Sequence, residues 1–321
     1  MNSLGGYFEL ELQNGKEYHK DAIRLNTGRN ALELILSSKQ FQKVYVPFYT
    51  CGVVMEPIYK LQIDFEFYSI DENMEPLFNF NNILEREGFL YTNYFGLKDS
   101  YISNLSGRCT NLIIDNSQAF YAIPLPGIPT FYSCRKFFGV PDGAYLYLDE
   151  ITELNFPTEF SSDRFVHLIK RIESGAEAGY YDFKENEHSL IGLPILQMSI
   201  LTKRLLSNID YELIQTKRRE NFLFLHEHLS KHNELNIKLD EGSVPMVYSF
   251  LSKNSEFKQK LIENKIFVPT YWPNVLEWSK KESIEYNYAS SIIHLPIDQR
   301  YSKHEMNFII KLIKTSNEKM D

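Results

Sequence analysis

Residues 111–118, Asn-Leu-Ile-Ile-Asp-Asn-Ser-Gln, and residues 130–149, Thr-Phe-Tyr-Ser-Cys-Arg-Lys-Phe-Phe-Gly-Val-Pro-Asp-Gly-Ala-Tyr-Leu-Tyr-Leu-Asp, decide how the rest of the chain is read. The first is a short apolar run closed by Asp115. A run without polar interruption suits a strand covered on both faces. Open α/β sheets gather ligands at the carboxyl ends of their strands, which is where Asp115 falls. The second stretch sets Lys136 among aromatic residues and beside Arg135. Apolar surroundings and a neighbouring cation both lower a lysine's affinity for its proton, as an amine that must attack a carbonyl requires. Each feature alone has a plainer explanation: Asp115 as the cap of a following turn or helix, Lys136 as a solvated loop residue.

Outward from these stretches, the first half alternates short β-like runs with helical pattern. Thr27–Ser38 sets Ala31, Leu34, Ile35 and Ser38 on one helical face, after a Thr-Gly start suited to a helix N-terminus. The strand expectations are Val44–Pro47, Asp64–Tyr68, Phe89–Asn93, Asn111–Asp115, Thr130–Ser133 and Ala144–Asp149. Such alternation predicts an α/β domain with a largely parallel sheet. Tyr101–Gly107 and Pro124–Pro129 read as loops. Further on, Leu190–Leu206 and Tyr211–Leu229 read as two long helices, Leu193, Leu196, Ile200 and Leu201 forming an apolar stripe in the first. A smaller α+β unit follows. Its expected strands are Met246–Leu251, Ile266–Val268 and Ser291–Leu295, with helices at Glu256–Asn264 and from Lys303 onward.

Composition narrows the function classes. The chain has 321 residues, 43% hydrophobic, enough for one large domain and a smaller one. Its 21 Tyr and 23 Phe require a large aromatic interior or interface. A formal charge of -8 argues against a general nucleic-acid surface, while leaving room for a local basic patch that holds a phosphate. Residues 1–15 lack a basic start and an apolar core, so no signal peptide is expected. No stretch approaches the roughly 18 apolar residues of a membrane span, and the chain reads as cytoplasmic. Cys51, Cys109 and Cys134 form an odd set without a Cys-x-x-Cys pair, which disfavours a disulfide framework or zinc ribbon. Cys134 reads as a packed thiol. His228 and His232 share a face of a predicted helix with His226 nearby, but no third ligand accompanies them and no metal is expected. Lys217-Arg218-Arg219-Glu220 reads as solvated helix surface. Trp272 and Trp278 read as core or rim packing, with a cleft or dimer contact as the alternative.

Three segments carry the chemistry together. Thr27-Gly28-Arg29-Asn30 opens a helix whose free N–H groups and dipole attract an anion, and Gly28 lets it approach closely; an ordinary capped helix is the alternative. Asp115 offers a carboxylate for a pyridine nitrogen, and Gln118 reaches toward a ring oxygen. Lys136 supplies the amine, with Ser133 and Arg135 beside it for a phosphate. An anion-binding helix start, a strand-end Asp and a lysine about twenty residues later follow the order found in fold-type I enzymes that use pyridoxal phosphate (PLP).

More narrowly, the sequence resembles the DegT/DnrJ/EryC1/StrS family of sugar aminotransferases. TGRNALELIL (27–36), VYVPFYTCGVVMEPI (44–58), LIIDNSQAF (112–120), FYSCRKFFGVPDGAYLYL (131–148) and IIHLPIDQRY (292–301) carry the likeness, which touches both ends of the chain. The resemblance implies a mostly parallel central sheet flanked by helices, with a smaller C-terminal α+β domain. It divides the chain at about residue 207, into a large PLP-binding domain over 1–207 and a small one over 208–321. It implies that Lys136 bonds to the cofactor and shuttles the substrate proton, that Asp115 pairs with the ring nitrogen and that Gln118 contacts the ring oxygen. Gly28, Arg29, Asn30 and Ser133 would hold the phosphate, and Tyr49 would stack on the ring, with Phe48 as the alternative. The implied reaction moves an amino group, from glutamate, to a keto sugar, nucleotide-linked, in amino-sugar or surface-polysaccharide synthesis. The implied assembly is a homodimer with shared sites. The chain departs from the family pattern at Gly139-Val140-Pro141-Asp142-Gly143-Ala144, at bulky Arg29 and Asn30, and at the segment near 180–187, where Asn186 is the candidate for a residue reaching the partner. These departures keep two other readings open: a PLP enzyme with another reaction, elimination or transamination of a smaller substrate, and a degenerate fold that serves as a binding protein.

Overall fold

The computed structural model describes residues 5–13, 15–149, 155–252, 254 and 256–317. Residues 1–4 and 14 of the N-terminal stretch considered above lie outside this range.

Nine strands are formed among the described residues: β1 Ile23–Leu25, β2 Lys43–Pro47, β3 Asp64–Tyr68, β4 Glu87–Thr92, β5 Leu112–Asp115, β6 Thr130–Ser133, β7 Ala144–Tyr147, β8 Val247–Leu251 and β9 Ile292–Pro296. The first seven make one sheet in the order β1-β7-β6-β5-β4-β2-β3, so β5, which ends in Asp115, is the middle strand. The pairs β2–β3, β2–β4, β4–β5 and β5–β6 are parallel, whereas β7 runs antiparallel to β6 and to β1. The α-helices are α1 Gly28–Lys39, α2 Met55–Lys60, α3 Asp99–Ser106, α4 Val166–Ser174, α5 Tyr180–Ser189, α6 Ile200–Leu206, α7 Tyr211–Leu229, α8 Glu256–Glu263, α9 Val275–Trp278, α10 Ile284–Ser291 and α11 Lys303–Asn317.

Strand periodicity sorts the core by residue type. Successive side chains point to opposite faces. Val44, Val46, Leu90, Ile113, Phe131 and Leu146 therefore pack with Ala31, Leu32 and Ile35 of α1 on one face. Tyr45, Phe89, Tyr91, Ile114, Tyr132 and Tyr145 join the aromatic-rich core of the other. Each buried aromatic ring removes about 150–250 Å² from water, so the aromatic surplus of the composition is spent largely here. A third core joins β8 and β9 to α7, α8 and α11 through Phe222, Leu225, Tyr248, Phe250, Phe257 and Ile309.

Three expectations fail. Leu190–Leu206 is not one helix; only Ile200–Leu206 is helical. Gly192 takes a positive φ of 71°, and residues before α6 serve as backbone partners: Leu196 accepts from Asn26 N, and Gln197 bridges to Leu25 and Thr158. The leucine spacing fits a helix, but the chain is extended by these nonlocal bonds. Tyr101–Gly107 is not a loop but most of α3, whose Ile102 and Leu105 are buried under polar neighbours. Ile266–Val268 forms no strand. In addition, α7 ends at Leu229, so His232 lies in the turn after it, while His228 Nδ1 is 2.8 Å from the carbonyl of Phe224.

Candidate active site

The parallel strands deliver four chain segments to one edge of the sheet: 48–51 after β2, 93–96 after β4, 115–118 at the end of β5 and 133–136 at the end of β6. The N-terminus of α1 abuts that edge. A Cβ placed on Gly28 would stand 3.6 Å from Ser117 Oγ and 3.7 Å from the Phe131 ring. The loop after the lysine is tied to the same place, because Gly143 N donates to Asn26 O at 2.6 Å. Asp142 is buried and accepts from Ser199 N (2.9 Å), Ser199 Oγ (2.7 Å) and Thr202 Oγ1, which locks the loop onto the start of α6.

At the start of α1, Thr27 caps the helix: its Oγ1 accepts from Asn30 N at 3.1 Å. The Asn30 side chain accepts from Thr27 Oγ1 at 2.5 Å and donates to Leu193 O at 2.9 Å. Both ends of Asn30 are thus committed within the fold, which removes it from the expected phosphate donors. Among the described residues, the N–H groups of Gly28 and Arg29 have no hydrogen-bond partner. They are the donors that an anion would meet.

Asp115 is buried, and its Oδ1 accepts from Ser117 N at 2.8 Å. Burial raises its pKa above the usual carboxyl value; the Ser117 hydrogen bonds and the charge of Lys136 oppose this. No cation lies in salt-bridge contact with it among the described residues, and a buried carboxylate without a close opposite charge is costly. Lys136 is solvent-accessible along a cavity wall, yet closely surrounded by protein. Burial of its ammonium lowers its pKa; Arg135 and Arg29 push the same way, while Cys51 and Asp115 oppose. Arg29 pairs with Glu56 at 2.8 Å and Arg135 pairs with Glu187. Burial brings Arg135 down to about 10, with Arg29 pushing further. Three cations and the Asp115 carboxyl therefore converge on the end of the central strands. Ser133 lies half-buried immediately before the lysine turn.

The other expected residues fall less simply. Gln118 is buried, and its Oε1 accepts from Phe95 N at 3.1 Å, which leaves the amide nitrogen end for a ligand. Tyr49 has no exposed surface; its ring stacks on Tyr94 at 5.5 Å and meets Trp272 edge-on at 5.2 Å. The ring is enclosed by Tyr94, Trp272 and Tyr288 with no exposed surface, so Tyr49 is not free to stack on a ligand as expected. Phe48 stacks on Phe67 at 4.8 Å instead. In this segment it is Cys51, two positions on, that acts electrostatically on both Lys136 and Tyr271. Asn274 holds it there, accepting from Gly52 N at 3.0 Å and donating to Thr50 O at 2.9 Å. Trp272 is core, and Trp278 packs on Phe67 at 5.1 Å.

Beside Lys136 opens a cavity of about 570 Å³ whose lining includes Phe137, His167, Arg171, Arg218 and Arg300. Arg218 corrects the expectation of a solvated charged run. It is 2% exposed, donates to Met246 O at 2.9 Å and to Gln299 Oε1 at 3.2 Å, and lies 4.5 Å over the Phe137 ring. Neither Arg218 nor Cys51 carried a local signal in the sequence, because their partners come from distant segments.

The residues fit PLP on the structure's own terms. The buried Asp115 lacks the close positive charge that a protonated ring nitrogen supplies, and the N–H groups of Gly28 and Arg29 lack acceptors. Among the described residues no group of side chains has metal-binding arrangement, and no helix is long and apolar enough to cross a membrane.

No protein-family model matches the sequence, and no curated protein matches it. Solved structures do. DesV from S. venezuelae, in complex with a ketimine intermediate, aligns with a TM-score of 0.63 at 16% identity, over 92% of this chain and 84% of that one. The sugar aminotransferase CalS13 from Micromonospora echinospora gives 0.63 at 14% identity, over 92% and 87%. A DegT DnrJ EryC1 StrS aminotransferase from Brucella abortus gives 0.61 at 15% identity, over 92% and 85%. The chain has the fold of these aminotransferases, with its mostly parallel seven-stranded sheet between helices.

Proposed function

We propose that this chain is a PLP-dependent aminotransferase that moves an amino group from an amino-acid donor, glutamate, to a nucleotide-linked keto sugar, in amino-sugar or surface-polysaccharide synthesis. The observation that carries the reading is the placement of Lys136 and the buried carboxyl of Asp115 at the ends of neighbouring central strands, each acting on the other's charge, beside the unpartnered N–H groups of Gly28 and Arg29 at the start of α1. The fold shared with sugar aminotransferases supports it; a solved sugar aminotransferase from Streptococcus pneumoniae, described as putative, is a PLP form.

When bound, the cofactor supplies an aldehyde carbon and a positively charged ring that withdraws electrons. The chain's own residues do the rest. Lys136 Nζ, with its pKa lowered by burial, holds a larger neutral fraction than an ordinary lysine and can take the proton from the donor Cα and return it. Asp115 keeps the ring nitrogen protonated, with Ser117 N fixing the carboxyl in place. The N–H groups of Gly28 and Arg29 and the Ser133 hydroxyl bind the phosphate. Gln118 presents its amide nitrogen toward the ring oxygen.

The division into 1–207 and 208–321 belongs to this reading: the second sheet has a core of its own with α7, α8 and α11, although Ile214, Met246, Val247, Trp272 and Tyr288 from beyond residue 207 pack into the aromatic core of the large sheet. A cytoplasmic homodimer with shared sites completes the reading. Helices α4 and α5 support it by exposing Ile172 (82%), Tyr180 (60%) and Tyr181 (72%) beside the cavity, an apolar surface that a second copy would cover.

The test is a single-turnover experiment. PLP-loaded protein mixed with glutamate should lose its aldehyde-form absorbance, gain that of the amine form, and recover on addition of a nucleotide-linked keto sugar. An unchanged spectrum with glutamate and with other amino donors would remove the transaminase reading.

A further inference from the structure

The cavity beside Lys136 holds a charge balance that its own side chains do not settle. Arg135, Lys136, Arg171, Arg218 and Arg300 line it, against one carboxylate, Asp298. That carboxylate is already used: its Oδ1 and Oδ2 accept from Arg300 Nε (2.7 Å) and Nη2 (2.9 Å). Arg218 feels Asp298 electrostatically but makes no salt bridge with it, and burial pushes its guanidinium down to about 10. Its Nε and Nη1 are held by Gln299, Pro245 and Met246, and its Nη2 makes no hydrogen bond among the described residues. Arg171, on the same cavity lining, is exposed and has no ion-pair partner among the described residues.

A buried cation without a close counter-charge is expensive to keep. Here it is also held rigidly, its plane 4.5 Å over Phe137, the residue after Lys136, whose carbonyl accepts from Gln299 Nε2 at 3.0 Å. A guanidinium fixed at a cavity wall, with a donor nitrogen free and a second, unpaired arginine on the same lining, is built to receive an oxyanion. We propose that Arg218, with Arg171 and Arg300, forms an oxyanion subsite that binds the anionic end of the molecule reacting at Lys136. Two sources share this chemistry, the carboxylate of an amino donor and the phosphate of the sugar acceptor. The proposal rests on the aminotransferase reading for the identity of the reacting molecule, but not for the binding of an oxyanion.

Binding of glutarate and of inorganic pyrophosphate to purified protein, followed by calorimetry without any turnover, separates the cases. Wild type should bind at least one of the two, and Arg218→Gln should weaken that binding by about tenfold or more. Loss confined to glutarate assigns the subsite to the donor; loss confined to pyrophosphate assigns it to the acceptor; loss of both supports one shared oxyanion site. If Arg218→Gln fails to fold by circular dichroism, the exposed Arg171→Gln decides, with several-fold weakening expected. Absence of binding to wild type, or equal binding by wild type and a folded variant, overturns the proposal. Labelling of Lys136 by PLP and borohydride in the same samples tests the aminotransferase reading by itself, so the two fail separately.

Discussion

Asp115 is the last residue of β5 and Lys136 lies three residues beyond the end of its parallel neighbour β6, and each acts on the other's charge. Neither is comfortable. Burial raises the pKa of the first and lowers that of the second, so the charged form of each is less favoured than in water.

This tension predicts a trade of stability for function at Asp115. A carboxyl whose folded pKa is raised stabilises the fold below its unfolded pKa and loses that contribution as pH rises through the folded value. At neutral pH Asp115 is therefore a liability in cofactor-free protein. Asp115→Asn should raise the Tm of the cofactor-free form at pH 7, with the gain vanishing in acid. The same variant should lower turnover by about a hundredfold or more, the scale for losing a preorganised charge at a reacting centre. Thermal scans at several pH values and single-turnover rates check both halves.

At Lys136 the sign runs the other way. A lysine whose folded pKa is depressed contributes stability above its unfolded pKa and loses it as pH falls through the folded value. Lys136→Met should thus be more stable than wild type at pH 7 without cofactor, and the difference should shrink toward the ordinary lysine range. Paired melting curves from pH 6 to pH 10 measure it; a constant offset would contradict the lowered pKa.

How much of this was legible in the sequence follows from where each residue finds its partners. Leu112–Asp115 is buried along its whole length, so an apolar run closed by Asp announced a strand covered on both faces. The helix from Thr27 carried its own cap. Leu190–Leu206 misled because leucine spacing is local, while the bonds from Asn26 and to Leu25 that extend the chain are not. Arg218 sat in a run that looks solvated, and only Phe137 and Met246, far away in sequence, bury it. Cys51 and Tyr49 differ by two positions in one segment, and no periodicity says that Tyr49 goes into the aromatic core while Cys51 stays half-buried.

Accessibility distinguishes the thiols. Cys51 is half-buried, whereas burial pushes Cys109 up to about 12 and Cys134 well above its ordinary value. Iodoacetamide at pH 8 should label Cys51 first, and prior PLP loading should slow that labelling several-fold. Peptide mapping by mass spectrometry reads both; labelling led by Cys134 would contradict the packing of the lysine loop.

Thr27 joins stability to anion binding. Thr27→Ala removes the acceptor for Asn30 N and should cost about 1 kcal/mol in chemical denaturation. It should also weaken PLP affinity, because the start of α1 frays where Gly28 and Arg29 must present their N–H groups. Unchanged affinity in a destabilised variant would place the phosphate elsewhere.

The central claim is that Lys136 is the residue that bonds to PLP. Incubation with PLP, reduction with borohydride, and mass-spectrometric mapping of the digest test it directly. The account predicts one pyridoxyl group per chain on Lys136, with the label and the associated absorbance lost in Lys136→Ala. Labelling spread over surface lysines, or equal labelling of wild type and Lys136→Ala, would contradict it.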